Sequence, residues 1–141
     1  MNKPRYKKPT RKSRFYVQPA LWELAIAFCR NYPLWIAELS VCDTSKTITD
    51  YADQIRVQTS GDYNPVEELA IRRAELQRKV DIVHDAAKDV TDSDILQKYL
   101  IMGVTHRLSY DTMVTQGIPC GRRQYHEYRR AFIYSVSQKL S

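Results

Sequence analysis

Four arginines, Arg122, Arg123, Arg129 and Arg130, share the stretch GIPCGRRQYHEYRRAFIY with Gln124, His126 and Glu127. These side-chain types can read base pairs. A guanidinium fork matches O6 and N7 of guanine, and a glutamine amide matches N6 and N7 of adenine. A solvated basic helix would carry the same residues, so their placement on the helix has to decide between the two.

A second basic cluster lies at the other end. Residues 1–14 contain Lys3, Arg5, Lys7, Lys8, Arg11, Lys12 and Arg14 with no acid, giving +7. Residues 121–141 carry Arg122, Arg123, Arg129, Arg130 and Lys139 against Glu127, giving +4. Between them 10 basic and 15 acidic residues give −5, and the whole chain is +6. Basic ends around an acidic middle suit a polyanionic partner, nucleic acid first. The first fourteen residues then either contact phosphate or serve as a flexible solubilising tail.

Other chemistries find little support. His84, His106 and His126 do not stand at zinc or triad spacings with Cys29, Cys42 and Cys120, and neither CxxC nor HxxxH occurs. No glycine-rich phosphate loop is present. TDSD at 91–94 is explained by helix capping. No enzyme activity, metal or cofactor is expected. An odd number of widely spaced cysteines argues against a disulfide framework and for a reducing cytoplasm. No secretory signal is read, and ALWELAIAFC is too short to span a bilayer and contains Glu23, so no membrane association is expected.

The elements that position these residues read as all-α. A chain of 141 residues fits one compact domain, and four glycines with six prolines leave little material for hairpins. After the tail at 1–14, residues 15–42 read as a helical hairpin. Pro19 opens an apolar helix with Leu21, Trp22, Ala25, Ile26 and Phe28 inward; Pro33 then starts a second one with Trp35, Ile36 and Leu39 inward. Residues 43–63, rich in Thr, Ser, Asp and Gln, read as a connecting loop. Residues 64–141 hold a long helix and a C-terminal group of helices.

Asn64, Pro65 and Glu67 form the start of the long helix. Its Val66, Leu69, Leu76, Val80, Val83 and Ala87 make a stripe that either packs within the domain or forms a dimer seam. Thr91 or Asp92 caps the next helix, with Ile95, Leu96, Tyr99 and Leu100 inward and Gly103 ending it in a left-handed turn. Ser109 caps a short segment closed by Gly117, and a last helix runs from Arg122 to Lys139. Such a short middle helix and tight turn are the layout of a helix-turn-helix. On the last helix Tyr125, Tyr128, Phe132, Val136 and Leu140 form the inward stripe, with Arg123, Glu127 and Arg130 opposite and His126 to one side. Arg129, close to the stripe, is assigned to phosphate together with backbone N–H groups at the helix start.

The order NYPLWIAEL, NPVEELAIRRAELQRKVDIV and ILQKYLIMGVTHRLSYDTMVTQGIPCGRRQYHEYRRAFIYSV resembles the RinA and ArpU-like family of phage transcriptional regulators, over residues 18–140. The C-terminal part of that family resembles region 4, the promoter-binding region, of sigma factors. The resemblance implies sequence-specific binding of double-stranded DNA at a promoter, activation of phage late or regulatory genes, and action in the bacterial host cytoplasm. It leaves open whether RNA polymerase is touched directly as a further partner, and a homodimer is expected. By position, Gly117–Ile118–Pro119 would form the recognition turn, and Arg122, Arg123, Gln124, His126 and Glu127 the reading face. The turn is longer than the family's, Pro119 and Gly121 replace its usual Ser or Asp cap, and the basic tail is additional. The alternative is a phage DNA-packaging protein, a small terminase-like oligomer that binds DNA through a similar helical module.

Overall fold

Prolines and left-handed residues punctuate the chain. The computed structural model describes residues 10–42 and 64–141. Pro19 sits at the start of α1 (Pro19–Arg30), and Asn31 ends it. Pro33 falls in the first turn of α2 (Tyr32–Cys42), where its missing N–H breaks no helical hydrogen bond. Asn64 Oδ1 accepts from the N–H groups of Val66 and Glu67 at 3.1 and 3.2 Å and starts α3 (Pro65–Val90). Then follow α4 (Asp94–Thr105), α5 (Tyr110–Gln116) and α6 (Arg122–Leu140). No strand occurs among the described residues, and the fold is all-α. Among them no helix is long and apolar enough to cross a membrane. The expected loop at 43–63 and the cations Lys3, Arg5, Lys7 and Lys8 lie outside the described residues.

The described residues form two compact units, divided between Tyr32 and Pro33 and again between Asp81 and Ile82. The first of these divisions falls inside the stretch 15–42. In the larger unit α1 lies against α6 and α4. Its core takes Trp22, Ala25 and Cys29 from α1, Val83, Ala86 and Ala87 from α3, and Phe132, Ile133 and Val136 from α6. Each large aliphatic or aromatic side chain so buried contributes about 1.5–3 kcal/mol. Cys29 is fully buried, and that burial pushes its thiol up to about 12 against a smaller opposing pull from Arg129.

The smaller unit buries Trp35 and Leu39 of α2 and Leu76 and Val80 of α3. Arg72 of α3 reaches Glu38 of α2 at 3.0 Å, and Lys79 Nζ stands 5.6 Å above the Trp35 ring.

Several inward assignments are corrected. Leu21, Ile26 and Phe28 are half-buried, because α1 buries the narrower stripe Trp22, Ala25 and Cys29. Ile36 is 40% exposed: Trp35 and Leu39, four residues apart, point inward together and turn Ile36 aside. Val66 and Ile95, in the first turns of their helices, are 41% and 58% exposed. Of the rest of the α3 stripe, Leu76, Val80, Val83 and Ala87 are buried within the chain, and Leu69 is half-buried.

Ser93, not Thr91 or Asp92, caps α4, its Oγ accepting from Leu96 N–H at 3.4 Å. Thr91 Oγ1 instead accepts from Ser93 N–H at 3.2 Å and shapes the connection. Gly103 does not end α4. It is buried within the helix, and the left-handed residue is Arg107, φ 55°, where Leu108 N–H bonds the Gly103 carbonyl at 3.0 Å.

Candidate nucleic-acid interface

The start of α6 is held by a small core with one residue from each of three helices: Leu100 of α4, Met113 of α5 and Tyr125 of α6. Ile118, Cys120 and Tyr128 pack partly buried against it. Ser109 Oγ accepts from Thr112 N–H at 3.2 Å to cap α5. Gly117, φ 96°, ends it; Gly117 N–H reaches the Val114 carbonyl at 3.0 Å and Ile118 N–H the Met113 carbonyl at 3.1 Å. A side chain would be strained at that φ. Two phenols hold the turn between α5 and α6. Tyr99 Oη donates to the Gln116 carbonyl at 2.7 Å, and Tyr110 Oη to the Cys120 carbonyl at 2.6 Å.

On α6 the buried residues are Tyr125, Arg129, Phe132, Ile133, Val136 and Ser137. Arg123, Gln124 and Glu127 are exposed on the other side. Gly121 precedes the helix without a side-chain cap, and the first turn contains no acid. Its first N–H groups and the positive end of the helix dipole therefore face outward beside two exposed arginines.

The residues singled out from the sequence fall into distinct settings. Arg123 has no hydrogen-bonding or ionic partner among the described residues. Arg122 is exposed but engaged: its guanidinium pairs with Asp111 of α5 and lies 5.0 Å from the Tyr110 ring centre. Gln124 Nε2 donates to Tyr128 Oη at 2.9 Å. Tyr128 is half-buried, so the inward anchor of this turn is Tyr125, 1% exposed. Burial, then the charges of Arg122, Arg130 and Arg129, hold the half-buried His126 imidazole below its ordinary 6.5, so it is neutral at pH 7. Arg130 is half-buried.

Two assignments change. Arg129 is 8% exposed and belongs to the interior, which removes it from the phosphate-contacting set. Its place beside the apolar stripe was legible, but its enclosure comes from long-range packing, α6 lying against α1. Glu127 is occupied by Arg14, whose Nη2 approaches its Oε1 at 3.2 Å. Residues 10–14, read as the end of a flexible tail, include a folded turn, while Arg11 and Lys12 remain exposed.

Among the described residues no group of three or more His, Cys, Asp or Glu could hold a metal ion. Comparison with protein-family models, with curated proteins and with solved structures finds no match to this chain.

Proposed function

We propose that the chain binds double-stranded DNA sequence-specifically and regulates transcription at a promoter, with α4, α5 and α6 acting as a helix-turn-helix and α6 as its recognition helix. The observation that carries this is the uncapped, acid-free first turn of α6, exposing Arg122, Arg123 and Gln124 directly after a turn fixed on a three-helix core. Recognition helices contact base edges mainly through their N-terminal residues. Arg123 has the freedom to approach guanine, and Gln124 to approach adenine once it leaves Tyr128. Arg122, placed by Asp111, and the helix N–H groups suit phosphate. The resemblance to phage regulators supports activation of phage genes, with RNA polymerase as a second partner, and dimerisation would double the DNA-binding surface.

Selection from a random duplex pool, followed by sequencing, tests the reading. A recurring motif is expected, and its absence sinks sequence-specific regulation. On that motif Arg123→Ala should lose about 1–3 kcal/mol, with a much smaller loss on random duplex. Melting should shift by less than about 0.5 kcal/mol in stability. Equal loss on both duplexes makes Arg123 a phosphate clamp.

A further inference from the structure

Arg122 and Arg123 are neighbours in sequence with opposite circumstances. Successive residues of a helix are about 100° apart, so the two cannot address the same feature of a partner. Arg123 shares its face of α6 with Glu127 and Arg130. Arg122 stands one turn before buried Tyr125 and half-buried His126, on the flank from which it reaches α5.

Two contacts converge there on one guanidinium. It pairs with the Asp111 carboxylate and lies 5.0 Å from the centre of the Tyr110 ring. That ring is itself held. Tyr110 packs against the core of Leu100, Met113 and Tyr125, stands 5.8 Å from the Tyr125 ring, and donates its hydroxyl proton to the Cys120 carbonyl at 2.6 Å. The ion pair alone is exposed on both sides and would contribute little. Seated over a fixed ring, it has fewer arrangements open to it.

We propose that Asp111 is a positioning residue that sets sequence discrimination: with Tyr110 it holds Arg122 across the turn between α5 and α6, where Arg122 meets phosphate in one register and leaves base reading to Arg123 and Gln124. This rests on the DNA-binding function proposed above. The first helix of a helix-turn-helix crosses the DNA backbone, so an arginine drawn toward α5 is drawn toward phosphate. A tethered arginine has lost its side-chain freedom before DNA arrives, which lowers the cost of ordering it in the correct register. Out of register, the Asp111 carboxylate faces phosphate without Arg122 between them, and like charge disfavours that complex. The pair is neutral as a whole, so it adds little attraction for duplex at large.

The readout is the ratio of affinity for the selected motif to affinity for random duplex, measured by anisotropy at one salt concentration. Asp111→Asn keeps the shape of the side chain and removes its charge. Random duplex should then bind more tightly, the motif should gain less or lose, and the ratio should fall by about two- to fivefold, the range open to an exposed ion pair. In an Arg122→Ala background the same substitution should leave the ratio unchanged, because the carboxylate then repels both duplexes alike. Both side chains are exposed, so melting should change little in every variant. A ratio that Asp111→Asn leaves unchanged or raises overturns the positioning role while DNA binding stands. So does an equal fall in the Arg122→Ala background, which would make Asp111 act without Arg122. A random pool that yields no motif sinks the sequence-specific function itself, and this role with it.

Discussion

Gly103 shows how one residue can be fixed by a distant partner. A Cβ built there would collide with Tyr125 Oη and lie 3.1 and 3.2 Å from Met113 Sδ and Cε. Tyr125 is 1% exposed and Met113 fully buried, so neither can withdraw freely. Gly103→Ala would gain up to about 1 kcal/mol of helix propensity, while overpacking costs about 1–3 kcal/mol. Net destabilisation is expected in urea titrations, with a clearly smaller penalty in the Tyr125→Phe background because the colliding oxygen is gone. Purely additive effects of the two substitutions would show that this contact does not set the requirement for glycine.

At the scale of the element, the legible parts were those governed by local chemistry. Ser109 and Gly117 bounded α5, and the three-four spacing along α6 put Tyr125, Phe132 and Val136 inside. Gly103 misled because a glycine within a helix signals either a stop or a close approach, and the approach depends on Tyr125, far along the chain. Arg129 was assigned outward by residue type, although an arginine stem tolerates burial and α1 closes over that face. The pairing of Arg14 with Glu127 spans 113 positions and leaves no periodic trace.

The start of α6 also has a pH signature. Partial burial, then its neighbouring arginines, hold His126 below 6.5 in the folded chain, so the unfolded chain protonates first and folding stability falls as pH drops through 6.5. Duplex phosphates would favour the imidazolium. Affinity should therefore rise as pH is lowered from about 7.5 to about 6, and His126→Gln should abolish the increase. Binding isotherms at each pH measure this, and an identical profile in both proteins would place His126 away from the DNA.

For the whole molecule, the larger unit is assembled from both ends of the described chain, with α1 packed on α6. The smaller unit retains exposed Leu34, Ile36, Val41 and Ile71 at 62%, 40%, 58% and 54%. Light scattering at tens of micromolar, a concentration chosen to populate a weak self-association, should return a dimer mass. A monomer removes dimerisation from the proposal, and a ring of many subunits favours the packaging protein over the regulator. The long helix α3 has a consequence for the timescale of backbone opening. From Val66 to Glu75 nearly every side chain is exposed, whereas Val83, Ala86 and Ala87 are fully enclosed. One continuous hydrogen-bonded ladder thus runs from a weakly protected end into a strongly protected one. Amide protons exchange with solvent at rates that fall along it, those near Asn64 escaping by fraying while those past Ile82 wait for the core to open.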